Sequence, residues 1–141
     1  MLHSKKYKAT SFLSLDVGKK RIGVALARHD LMIPRPLITL NNDSLFINKL
    51  TEIVKDHEVD QIIVGIPRNL NSKDTKQTEY VRKFAKTLEP LGTEIKFQDE
   101  ALTSVEAEEI LKTHVKSYNK EEVDALAALI ILEDYINEVR R

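Results

Sequence analysis

Three acidic side chains stand where a purely structural residue is poorly placed: Asp16, Glu100 and Asp124. Asp16 follows Phe12, Leu13 and Leu15, at the end of a stretch that reads as a central strand. In open sheets, ligands gather at the carboxyl ends of the strands. Taken alone, Asp16 is explained as readily by a turn whose backbone at Val17-Gly18 it caps. Glu100 occupies the corresponding place past a later strand, with its neighbour Asp99 as a rival. Asp124 is the strongest of the three. It is the only charge in the run Val123–Leu132, near the start of a helix that otherwise reads as buried. A lone carboxylate there is costly unless it is paired or bound to a metal.

Together the three acids suit one chemistry. Hard divalent ions such as Mg²⁺ or Mn²⁺ take a few carboxylates plus water and phosphate oxygens. Two such ions, about 3.5–4 Å apart, can serve the attacking and leaving oxygens in phosphodiester cleavage. Asp16, shared between both ions, would then belong at the centre of the sheet. Without metal the acids should repel one another and raise at least one pKa. Directly after Asp16 comes Lys19-Lys20-Arg21. These cations would neutralise phosphate beside the acids, or simply decorate a solvated hairpin turn. Gly18 and Gly23 would let backbone approach a substrate, although a turn or close packing explains each as well.

The elements that must position these residues follow from pattern. Ser11–Asp16 and Arg21–Ala27 read as an antiparallel pair, and a third strand spans about Arg35–Leu40. Asn42 or Asp43 should cap a helix carrying Leu45, Phe46, Leu50, Ile53 and Val54 at helical spacing. Asp60–Ile66 is nearly unbroken apolar sequence, as in a strand covered on both faces. Asp74 with Gln77 predicts the cap of a second helix, which buries Val81, Phe84, Ala85 and Leu88. A fifth strand, Glu94–Gln98, should turn Ile95 and Phe97 inward. Thr103 with Glu106, then Asn119 with Glu122, open the last two helices. The order βββ-α-β-α-β-α-α predicts an α/β fold: a five-stranded mixed sheet with helices on both faces. That architecture matches the RNase H-like fold.

Composition excludes several alternatives. With no cysteine, disulfides, thiolate metal sites and cysteine nucleophiles are ruled out. The histidines (His3, His29, His57, His114) are scattered without metal-ligand spacing. The formal net charge of +0 leaves no global field for a polyanion, so any such partner must be met locally. Arg82-Lys83 with Lys86, and Lys112 with Lys116 and Lys120, read as solvated surface charge. The apolar run Ala125–Leu132 is far short of the roughly 20 residues a membrane span needs. Lys5, Lys6 and Lys8 are followed by no signal-peptide core, since Asp16 interrupts Phe12–Leu15. A cytoplasmic protein is expected, one domain over residues 1–141 with a loosely ordered lead-in at 1–10, and a monomer or weak dimer.

Four ordered stretches carry a resemblance: Ser14 to Ala25 (SLDVGKKRIGVA), Ile63 to Pro67 (IVGIP), Asp99 to Ala107 (DEALTSVEA) and Val123 to Ala128 (VDALAA). In these the chain resembles the YqgF/RuvX family, the bacterial Holliday-junction resolvase-like proteins, over about residues 11–137. The resemblance implies an RNase H-like nuclease that matures the precursor of 16S ribosomal RNA. It places the family's acidic triad on Asp16, Glu100 and Asp124, with nucleic acid and the small ribosomal subunit as partners. One departure stands out. The family usually has arginine after its Asp-Glu pair, where this chain has Ala101. If that arginine binds phosphate, activity is weaker here or another cation, such as Arg68, takes its place. Two variants of the reading follow: a resolvase-like endonuclease acting on structured DNA, and a non-catalytic RNA- or ribosome-binding module, which Ala101 favours. Asp-x-Gly before a basic turn is also similar to the first phosphate loop of actin-like ATPases and sugar kinases. Those need a second lobe and a second phosphate loop, which this sequence lacks.

Overall fold

In a computed structural model the chain is described over residues 10–67, 75–100, 103–114 and 119–140, without the side chains of 103–106, 111, 114, 120 and 121. The lead-in at 1–9, Arg68 with its polar loop, Asp74 and Ala101 therefore lie outside the described residues.

Among the described residues, five strands and four α-helices follow the expected order. The strands are β1 (Ser11–Val17), β2 (Arg21–Arg28), β3 (Arg35–Asn41), β4 (Val59–Pro67) and β5 (Glu94–Glu100). The helices are α1 (Phe46–Asp56), α2 (Lys76–Lys86), α3 (Thr103–His114) and α4 (Lys120–Val139). Sheet order is β3-β2-β1-β4-β5, antiparallel among the first three strands and parallel from β1 through β4 to β5. The strand bearing Asp16 is thus the middle one.

Alternation along β1 divides the core in two. Leu13, Leu15 and Val17 join Val24, Ile62 and Val64 beneath Phe46 and Leu50 of α1 and Val81 of α2. On the other face Phe12, Ala25, Ala27 and Ile63 pack on Ala128, Ile131, Leu132 and Ile136 of α4. There Ser14 Oγ donates to the carbonyl of Ala128 at 2.6 Å, so a hydroxyl buried in apolar surroundings is satisfied. Against α4, Ala107 of α3 meets Val123, Ala127 and Ile130.

Three local expectations are corrected. Neither Asn42 nor Asp43 caps α1, whose N-cap Leu45 has no side-chain cap bond. Asp43 instead accepts from the Leu45 N–H at 2.9 Å. The Asn42 amide is committed elsewhere, to the Gly18 carbonyl at 2.8 Å and the Tyr80 hydroxyl at 2.9 Å. The cap of α2 is Thr75, whose Oγ1 accepts from the Thr78 N–H at 3.1 Å. Phe97 is 41% exposed rather than inward, because β5 is an edge strand, and Arg82 lies over its ring, 5.6 Å from the centroid. Asn119 caps α4 as expected, accepting from the Glu122 N–H at 2.9 Å.

Candidate active site

Asp16 shares the α4-facing side of β1 with Phe12 and Ser14, and its cross-strand partner is Gly23. A side chain at Gly23 would run into the Asp124 carbonyl of α4. The bare glycine is what lets α4 press onto the sheet at this point, and it brings Asp124 down beside Asp16. The close approach foreseen at Gly23 is therefore that of a helix and not of substrate. Gly18 belongs to the turn, its N–H bonded to the Arg21 carbonyl at 2.9 Å.

Glu100 is the last residue of β5, in register with Pro67. A Cβ at Gly65 would run into Ile131 Cδ1 and lie 2.9 Å from Glu100 Oε2, so this second glycine makes room both for Ile131 of α4 and for the Glu100 carboxylate. Asp99 is opposite Ile66, on the α1–α2 side of the sheet. Strand alternation thus decides between the two neighbours. Glu100, not Asp99, turns toward Asp16.

The electrostatics follow from this geometry. Burial, then the Glu100 carboxylate, then the Asp124 carboxylate push the Asp16 pKa up to about 8. Asp124 is not left alone in its apolar helix, because Arg21 Nε donates to its Oδ2 at 2.7 Å. Lys19 and Lys20 are exposed at the hairpin turn. That turn is held in place by Asn42, whose N–H bonds the Lys20 carbonyl at 2.9 Å, and by Gln77, whose Nε2 reaches the Val17 carbonyl at 3.4 Å. Of the predicted cations, Lys19 and Lys20 lie exposed on the turn after β1, Arg21 grips Asp124, and Arg68 is outside the described residues.

As placed, no three acidic or imidazole side chains among the described residues converge closely enough to hold one ion. The donor set nonetheless suits a hard divalent cation. Asp16, Glu100 and Asp124 offer only carboxylate oxygens, and their mutual repulsion is what bound positive charge would relieve. Sequence reasoning missed the Arg21–Asp124 pair and the role of Gly65. A glycine inside a strand is the one available signal for the latter. A cavity of about 430 Å³ lies at the opposite end of β1, lined by Ser11, Arg28, Leu31, His57 and Glu58, away from the acids.

Comparison with known proteins relates the chain to proteins named as nucleases and resolvases. Residues 10–138 match the family model RuvX, described as Holliday junction resolvase. A protein of Crocosphaera subtropica named "Putative pre-16S rRNA nuclease" is 42% identical over 135 residues, covering 92% of this chain and 94% of that protein. One of the same name from a Sulfurihydrogenibium species is 34% identical over 130 residues, 90% of each chain. Among solved structures, Thermus thermophilus RuvC bound to a Holliday junction aligns with a TM-score of 0.56 at 10% identity, over 92% of this chain and 96% of that one. The fowlpox virus resolvase in complex with its junction DNA gives 0.57 at 8% identity, over 94% and 100%. These two likenesses establish the fold, an RNase H-like sheet.

Proposed function

The chain belongs to the RuvX family, and from that premise we propose that it is a divalent-metal-dependent endonuclease maturing the 5′ end of precursor 16S ribosomal RNA. The observation that carries the reading is the approach of Glu100 and Asp124, from β5 and α4, to Asp16 on the central strand, where their charges add to its burial in raising its pKa to about 8. Repulsion of this kind is tolerated where function needs the charges together.

Asp16, Glu100 and Asp124 would hold Mg²⁺ or Mn²⁺. The bound ion would supply Lewis-acid polarisation of the scissile phosphate and a more acidic attacking water. The protein's own contribution is position. Gly23 and Gly65 bring the three carboxylates together on one face, and the clamped hairpin turn presents Lys19 and Lys20 to the phosphates on either side. Precursor ribosomal RNA as substrate would place the protein in the cytoplasm. No helix among the described residues is long and apolar enough to cross a membrane.

The test is cleavage, with Mg²⁺ or Mn²⁺, of an RNA spanning the mature 5′ end, run beside single-stranded DNA and a four-way DNA junction. Asp16→Asn, Glu100→Gln and Asp124→Asn should each lower cleavage by about 10²-fold or more, the scale of losing a group that stabilises transition-state charge. Variants that fold and cut as wild type would remove the proposed site. Junction cleavage without RNA cleavage would make the protein a DNA resolvase, which fold likeness alone does not establish. Specific RNA binding with no cleavage would leave a ribosome-biogenesis binding module.

A further inference from the structure

Arg21 is a cation bound to a proposed metal ligand. Its Nε donates to Asp124 Oδ2 at 2.7 Å, joining the start of β2 to α4. Neither end is loosely solvated, with the two side chains 30% and 23% exposed. A divalent ion held by this carboxylate would repel the guanidinium and weaken the bond.

We propose that Arg21 is a displaceable counter-ion: it neutralises Asp124 in the metal-free protein, and a divalent cation releases it to bind a phosphate of the nucleic-acid strand. The inference rests on the metal reading of Asp16, Glu100 and Asp124. Guanidinium chemistry suits both partners, because its planar donor fork matches a carboxylate and a phosphate equally and keeps its charge throughout. Position suits them too. Arg21 directly follows Lys19-Lys20, so leaving Asp124 it stays on the rim where those cations already lie. Metal and nucleic acid then reinforce each other's binding, and the coupling must be reciprocal. A metal-free site stays neutralised, and only a loaded site offers the extra cation to a substrate.

The experiment is calorimetric titration of Mn²⁺ into the full chain without nucleic acid, comparing wild type, Arg21→Gln, Arg21→Lys and Asp16→Asn. Melting curves check that each is folded. A displaceable counter-ion predicts that Arg21→Gln binds Mn²⁺ about fivefold or more tighter than wild type, within the usual range of coupling between sites. Arg21→Lys, which keeps the positive charge, should bind less tightly than Arg21→Gln. If Arg21 only props Asp124 in place, Arg21→Gln binds Mn²⁺ equally or more weakly, and the proposal is overturned. A second readout is the affinity for a phosphorothioate oligonucleotide with and without Mn²⁺. The gain on adding Mn²⁺ should be larger in wild type than in Arg21→Gln, and equal gains would remove the handover to phosphate. If wild type takes up Mn²⁺ no better than Asp16→Asn, the metal reading itself fails and this proposal with it, an outcome that the Arg21 variants cannot imitate.

Discussion

At the scale of single residues, the site is a balance of charge against burial, and Asp16 shows its sign. Its folded pKa is raised to about 8 from an ordinary carboxylate value, so the folded state holds a proton that the unfolded chain has already lost. The stability tied to that proton is complete below about pH 4 and is lost as pH rises toward 8. Asp16→Asn cannot ionise. The metal-free variant should therefore match wild type near pH 4 and become the more stable of the two toward pH 8. One pKa unit is about 1.4 kcal/mol, so the gap at pH 8 should exceed about 1 kcal/mol. Urea unfolding at the two pH values measures it, and an unchanging difference would mean that burial and the neighbouring carboxylates do not raise the Asp16 pKa. Saturating Mn²⁺ should reverse the order, since an ion at 100 times its Kd adds about 2.7 kcal/mol to a protein that binds it and nothing to one that does not. The acids themselves were legible in sequence, because a charge inside an apolar pattern is an anomaly that burial makes expensive. Arg21 as the partner of Asp124 was not. The two are far apart in the chain, and only the docking of α4 on β2 brings them together.

At the scale of elements, hydrophobic period gave the strands and helices their order, and what it missed lies at ends and edges. Asn42 does not cap α1 because its side chain has tertiary bonds to make, tying down the hairpin instead. Phe97 fits the inward period of β5 but has no neighbouring strand beyond it to cover its ring. The fit of α4 on β2 was equally hidden, since Gly23 reads in sequence as turn, substrate approach or packing. In the structure its missing side chain is the gap that the backbone of Asp124 fills. Gly23→Ala forces α4 outward, and overpacking of this kind typically costs about 1–3 kcal/mol. Because α4 carries Asp124, Mn²⁺ affinity should fall together with stability. Denaturant midpoints and metal titration on one sample test both. A variant that loses neither would mean that α4 is not held by this contact.

At the scale of the whole molecule, the formal charge of +0 forbids a long-range pull on nucleic acid, so binding must come from a few placed cations. The hairpin turn is the place. Lys19 and Lys20 are exposed there, on the turn that follows the strand of Asp16, and the acids on their own would repel a phosphate strand. Each phosphate neutralised by a lysine releases counterions, which gives a slope of about 0.7 in log affinity against log salt for a single strand. Replacing both lysines, Lys19→Ala with Lys20→Ala, should flatten that slope by about 1.4 and weaken binding most at low salt. The effect should be the same for every RNA sequence tested, since phosphate contacts carry no base information. Folding should be unaffected, because the turn is held by backbone and by Asn42 rather than by the lysine side chains. An unchanged salt slope would move the strand's path away from this rim, and with it the direction from which substrate reaches Asp16.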